Sequence, residues 1–136
     1  MATQPSEIAG EFLKTHRLGV LATGRKDGSP QQALIGYLFD GDEFAIRTSD
    51  GSAKAKNIRK RGKVSLSVID GPKVVVVYGT ARVASGEEAT PYLERMAQQM
   101  RPAGGGGPAR PARPQAGNTV VILVSPEKYL AARLEG

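Results

Sequence analysis

The densest charged feature of the chain is Ser52-Ala53-Lys54-Ala55-Lys56-Asn57-Ile58-Arg59-Lys60-Arg61-Gly62-Lys63, with six basic residues in the ten positions from Lys54 to Lys63. Ser52 is a natural N-cap, and Ala53 to Arg61 holds good helix formers without Pro or interior Gly. The segment therefore predicts a short helix closed by Gly62 at C′. Its cations begin at the helix N-terminus, where they oppose the macrodipole. A bound anion reverses that penalty, because free backbone N–H groups, the dipole and the lysines converge on it. A solvated basic face explains the charge pattern equally well. Arg47-Thr48-Ser49 ends an apolar run just before this helix, and its guanidinium and hydroxyls suit phosphate contacts. The alternative there is an exposed strand end leading into the turn Ser49-Asp50-Gly51.

Other chemistry is poorly supplied. Asp27, Asp40, Asp42, Glu43 and Asp50 fall in or beside Asp-Gly turns, where backbone geometry explains them. His16 is the single histidine and lies at a predicted helix end. It reads as a capping or surface residue, and neither a zinc site nor a Ser-His-Asp triad can be assembled around it. Axial haem ligation by His16 stays open as a metal role. The absence of cysteine excludes disulfides and thiolate chemistry. There is no Walker motif and no GxGxxG after a strand, and Gly104 to Gly107 sits in Pro-rich sequence unsuited to a phosphate loop. Such a chain suits a reaction carried by a bound cofactor, with the protein supplying binding and orientation.

The elements that must position these residues are mostly strands. Ser6 caps a first helix whose apolar stripe is Ile8, Phe12 and Leu13, ending near His16. Leu18 to Thr23, Gln31 to Phe39 and Phe44 to Thr48 follow, separated by Asp27-Gly28 and Asp40-Gly41, which predicts a three-stranded antiparallel meander. After the basic helix, Val64 to Ile69 alternates apolar residues with hydroxyls. Asp70-Gly71-Pro72 turns the chain into Val74 to Val83, a valine run expected to be buried on both faces at first. Ser85 and Glu88 form a capping-box pattern for a helix running to about Met100. Arg101 to Gly117 is a Gly/Pro/Arg tract that predicts a flexible loop. Thr119 to Val124 is a last strand, and Ser125-Pro126-Glu127 predicts a closing helical turn. About six short antiparallel strands with few helices imply a mainly β fold, a small closed or split six-stranded β-barrel.

The 136 residues form one expected domain, 1–136, with an aliphatic core, since the chain has three Phe, four Tyr and no Trp. No apolar run approaches the roughly 20 residues that span a membrane, and the N-terminus lacks an apolar signal region, so cytoplasm is the expected location. A net charge of +6 favours an anionic partner. Nucleic acid is one such partner. However, Tyr37, Phe39, Phe44 and Tyr78 read as core positions, which leaves no aromatic stacking platform.

Leu18-Gly19-Val20-Leu21-Ala22-Thr23, Asp27-Gly28-Ser29-Pro30-Gln31 and Lys54-Ala55-Lys56-Asn57-Ile58-Arg59, in that order, resemble the pyridoxamine-5′-phosphate-oxidase-like superfamily. Within it, the chain resembles the flavin/deazaflavin oxidoreductases that use coenzyme F420. The similarity runs from about Leu13 to Val83 and resumes at Thr119 to Leu130. The resemblance implies a split-barrel homodimer with two cofactor sites at the interface and a small-molecule substrate. It places the cofactor ring along Gln32-Ala33-Leu34-Ile35 and the phosphate on Arg47, Thr48, Ser52, Lys54 and Lys56. Asn57 and Arg59 lie close by in this scheme, and the Tyr78-Gly79 strand of the partner completes each pocket. FMN-binding oxidases of the family carry an Arg-Lys pair where this chain has Ala53-Lys54, and the family's C-terminal Arg-x-His is absent. Those departures count against FMN oxidase and vitamin B6 chemistry. Coenzyme F420, with a phosphodiester and a glutamate tail, accounts for more of the positive charge than the single phosphate of FMN. The expected activity is hydride transfer from reduced deazaflavin to a conjugated substrate such as a tetrapyrrole, quinone or enone. FMN chemistry on the same fold and a non-enzymatic anion binder are the alternatives.

Overall fold

The computed structural model describes residues 4–99 and 118–134. In chain order its elements are α1 (Glu7–Thr15), β1 (Leu18–Gly24), β2 (Pro30–Gly36), β3 (Leu38–Phe39), β4 (Phe44–Ser49) and α2 (Ala53–Lys60). They continue with β5 (Lys63–Asp70), β6 (Lys73–Ala84), a 3-10 turn (Gly86–Glu88), α3 (Thr90–Gln99) and β7 (Thr119–Ala132). The predicted loop at 101–117 lies outside the described residues.

Seven strands form one antiparallel sheet in the order β2-β1-β5-β6-β7-β4-β3. Its two edge strands, β2 and β3, are consecutive in the chain, with Tyr37 alone between them. A sheet whose opposite edges are one residue apart must curl until they meet, which makes a half-barrel. Phe12, Leu13, Leu21, Phe44, Ile46, Leu66, Val77 and Ile122 fill the enclosed core. A second, smaller core lies on the other face, where Tyr92, Leu93 and Met96 of α3 pack on Leu38, Ala45, Val121 and Leu123.

Tyr37 closes the seam. Its N–H donates to the Arg17 carbonyl at 2.9 Å and its hydroxyl to the Leu13 carbonyl at 2.8 Å. Its ring meets Phe44 edge-on, with centroids 5.4 Å apart. This residue explains why the predicted strand Gln31 to Phe39 is two strands. Its first part pairs with β1, and its second pairs with β4 at the far edge. The expected three-stranded meander is therefore interrupted, and the strand count is seven rather than six. The first two Asp-Gly pairs sit in loops of residues 25–29 and 40–43, with Gly28 and Gly41 at φ 88° and 103°.

The last strand departs furthest from expectation. Ser125-Pro126-Glu127 starts no helix, because β7 continues along β6 as far as Ala132. Past Val124, β4 no longer flanks β7, so proline is tolerated there as on an edge strand. A bulge shifts the register between Tyr78↔Lys128 and Gly79↔Pro126, leaving Glu127 as the extra residue. Gly79 is required by this bulge. A Cβ there would overlap the Ser125 carbonyl oxygen and lie 3.2 Å from Pro126 Cα.

Three smaller expectations also change. The Ser85 side chain makes no cap hydrogen bond, and the Glu88 carboxylate instead accepts from Arg82 Nη1 at 2.9 Å. Gly62 is not left-handed. Its carbonyl accepts from Ala81 N–H at 2.7 Å, and a side chain would crowd the Ala81 carbonyl at 3.0 Å. Burial in β6 alternates, so Val75 and Val77 are buried while Val74 and Val76 are only half-buried.

Two predictions follow from these contacts. Gly79→Ala should cost about 1–3 kcal/mol or more by overpacking against backbone, measured by denaturant unfolding. Burial pushes the Tyr37 hydroxyl well above the usual phenol value of 10.0. Its contribution to stability is thus complete below the unfolded pKa and is lost as pH rises above it. Unfolding free energy should be level towards pH ~10 and fall beyond it, and Tyr37→Phe should lower the plateau by ~1 kcal/mol and flatten that fall.

Candidate functional site

Helix α2 is anchored from its apolar side. Ala55 and Ile58 are buried, with Ile58 joining the barrel core. Ser52 caps the helix, its Oγ accepting the Ala55 N–H at 3.2 Å. The first-turn amides of Ala53 and Lys54 are among those that a helix leaves without an intrahelical partner.

The six cations of this segment divide into two groups. Arg59 Nη1 donates to the Asp50 carbonyl at 3.1 Å, and Nη2 forms an ion pair with the Asp50 carboxylate. Its guanidinium therefore holds the β4–α2 turn. Arg61 Nε donates to the Gly24 carbonyl at 3.4 Å, and Lys63 Nζ pairs with Glu127 at 3.0 Å. Lys54, Lys56 and Lys60 form no ion pair with any described residue. Their charge is uncompensated within the described fold. That remaining set, with the capped helix start, fits a phosphate-bearing group.

The other expected site residues are placed by the pleat. In β4, Arg47 is exposed on the face shared with Ala45, whereas Thr48 is buried on the face shared with Ile46. The two side chains thus diverge across the sheet. In β2, Gln32 and Leu34 are exposed, while Ala33 and Ile35 face the core. Ala33 and Ile35 can offer a ligand only backbone groups. As an edge strand, β2 pairs with β1 alone, so its second side keeps N–H and C=O groups outside any ladder.

Asn57 points inward. Its Nδ2 donates to Thr23 Oγ1 at 3.0 Å, and that hydroxyl donates to Gln31 Oε1 at 3.1 Å. Thr23 and Gln31 escaped the sequence reading, although their pairing across the β1–β2 hairpin was available once its register was known.

Among the described residues, the outward face of β2-β1-β5-β6-β7 carries all the exposed large apolar side chains except Ile8 of α1. Register places Leu34 beside Val20, Val20 beside Ser67, Ser67 beside Val76 and Val76 beside Leu130. Leu18, Ile69 and Tyr78 share that face. Leu34 is 73% exposed, Leu18 62% and Ile69 61%. Tyr78, expected in the core, is exposed. Contiguous apolar surface of this kind marks an interaction site.

His16 stacks on Phe12 at 4.0 Å, and its Nδ1 lies 2.6 Å from the Phe12 carbonyl and its Nε2 3.0 Å from Asp70. It caps α1, as expected for an isolated histidine. Asp27, Tyr37, Arg82, Tyr92, Glu127 and Tyr129 have protonation shifted by the fold, and none of them is an expected site residue. Burial pushes the Tyr129 hydroxyl up to about 12. A groove of about 480 Å³ lies on α1 between Glu7, Ile8, Glu11, Phe12, Thr15 and Leu134, and it includes none of those residues either. No described helix is long and apolar enough to cross a membrane.

Comparison with known proteins agrees with this architecture. The chain is 36% identical over 102 residues to the F420H(2)-dependent biliverdin reductase of Mycobacterium tuberculosis (strain CDC 1551 / Oshkosh), covering 73% of this chain and 74% of that protein. A solved F420 reductase superposes with a TM-score of 0.66 at 24% identity, over 84% of this chain and 89% of the other. A pyridoxamine 5′-phosphate oxidase-related, FMN binding protein from Nostoc punctiforme PCC 73102 gives a TM-score of 0.66 at 18% identity, over 100% and 88%. Residues 6–132 match the family described as pyridoxamine 5′-phosphate oxidase, and the chain belongs to that family.

Proposed function

We propose that the protein is a coenzyme F420-dependent reductase acting on a conjugated small molecule. The observation that carries this reading is the set Lys54, Lys56 and Lys60, which form no ion pair with any described residue, on a capped helix. The relative named as an F420H(2)-dependent biliverdin reductase supports the choice of cofactor.

In this reading the amides at the start of α2, with Lys54 and Lys56, hold the phosphodiester. Lys60, one turn beyond Lys56, extends positive charge along the path of a glutamate tail. Gln32 and Leu34 flank the ring, and the unladdered backbone of β2 offers hydrogen bonds to its polar edge. The bound reduced deazaflavin supplies a hydride. No acid–base constellation is needed from the chain, and none stands among the proposed site residues. Arg47 faces away from Thr48, so only one of the two can contact a given group.

The site is open in a single chain, and the apolar outer face fits a second copy. A homodimer would bury Leu34, Leu18, Ile69 and Leu130 while bringing the partner's surface over the ring.

Fluorescence titration with F420 and with FMN tests the cofactor. We expect F420 to bind, and Lys54→Ala/Lys56→Ala to weaken it at least tenfold, since a shielded charge-assisted hydrogen bond contributes roughly 1.5–3 kcal/mol. Binding of FMN alone would move the protein to flavin chemistry, and binding of neither would end the reading. Sedimentation tests the dimer: Ile69→Asp/Leu130→Asp should yield monomers with weakened cofactor binding. Monomers that bind F420 as tightly as the parent would show that one chain completes the site.

A further inference from the structure

The relay that joins α2 to the first hairpin has a direction. Asn57 Nδ2 can only donate, so Thr23 Oγ1 accepts from it at 3.0 Å. The single hydroxyl proton then goes to Gln31 Oε1 at 3.1 Å, an oxygen that can only accept. Thr23 is 2% exposed, so its hydroxyl has little access to water as an alternative partner. The outer ends of the relay are different. Gln31 Nε2 and Asn57 Oδ1 have no partner among the described residues, yet neither is sealed from solvent.

Three elements meet in this chain of bonds. Asn57 stands on the helix that carries Lys54 and Lys56, Thr23 on β1, and Gln31 on the edge strand one residue before Gln32. Ala55 and Ile58 pack α2 on the barrel without direction, while Arg59, Arg61 and Gly62 tie its C-terminal half to Asp50, Gly24 and Ala81. The Asn57–Thr23–Gln31 chain is the directional bond that links the middle of the helix to both strands of the first hairpin.

We infer that Thr23 is a positioning residue for the candidate cofactor site: its hydroxyl, held between Asn57 and Gln31, sets the basic helix against the β1–β2 hairpin. The inference rests on the reading that α2 and β2 together hold the cofactor.

The test separates positioning from bulk stability. Thr23→Val removes the hydroxyl at nearly constant volume, Thr23→Ser keeps it, and Asn57→Ala breaks the relay from the less buried end. In the cofactor-free protein, amide hydrogen exchange over residues 53–60 should accelerate in Thr23→Val and Asn57→Ala but not in Thr23→Ser. F420 affinity should fall about five- to tenfold in the first two, the loss of roughly one hydrogen bond, and return with serine. The Thr23→Val/Asn57→Ala double variant should be no worse than the weaker single variant, because both cut one chain. Unchanged exchange in α2, failure of serine to rescue, or additive effects in the double variant would overturn the inference. If Thr23→Val does not fold, Asn57→Ala carries the exchange comparison. Altered exchange in a protein that binds no F420 even as wild type would uphold the relay and refute the reductase reading.

Discussion

A single residue joins the two edges of the sheet, and the rest of the architecture depends on that constraint. With only Tyr37 between β2 and β3, the sheet has no freedom to stay open. Curling buries the inward residues of all the long strands in one core, and the outward residues are then left to be covered by something else. On one side α3 does this over Ala45, Val121 and Leu123. On the other side, across β2, β1, β5, β6 and β7, no described element of the chain does so. The exposed apolar face and the edge strand that adjoins it are both products of the same closure.

Helix α2 shows how sequence-local signals acquire a spatial meaning. Its cap, its composition and its boundaries are visible from Ser52 to Arg61 alone. The division of its cations is not. Whether Arg59 is available depends on Asp50 across the preceding turn, and whether Arg61 and Lys63 are available depends on Gly24 and Glu127, both more than 30 positions away. A count of six charges therefore overstates the local field, since Arg59 and Lys63 each face a carboxylate, whereas Arg61 meets only a carbonyl.

The legible parts of the fold were those governed by neighbours in sequence. Ser6 and Ser52 cap their helices as their types predict, and the alternation of Val64 to Ile69 reports its strand and its buried face. The illegible parts were set by pairing between distant segments. Gln31 to Phe39 looks like one strand because nothing local marks Tyr37 as a seam. Ser125-Pro126-Glu127 is a sound helix start in isolation, yet eleven paired positions between β6 and β7 outweigh it, with a bulge absorbing the mismatch. The Ser85 and Glu88 pattern likewise yields to an ion pair with Arg82. At the candidate site, the basic helix and the strand before Tyr37 were readable as elements from their residue types. The bond from Asn57 to Thr23, 34 residues apart, was not, because only the register of a folded hairpin brings them together.

Ala55 and Ile58 are buried beneath Lys54, Lys56 and Lys60, so α2 plugs the core and, under the reductase reading, would also carry the ligand's countercharge. Lys56 and Lys60, one turn apart, oppose the helix slightly, and under the reductase reading an anion that binds only the folded state would stabilise it. Under the reductase reading, cofactor supply would therefore govern the survival of the polypeptide as well as its turnover number. Cells short of the deazaflavin would present more opened chains to their proteases and carry less of the enzyme, without any change in its synthesis.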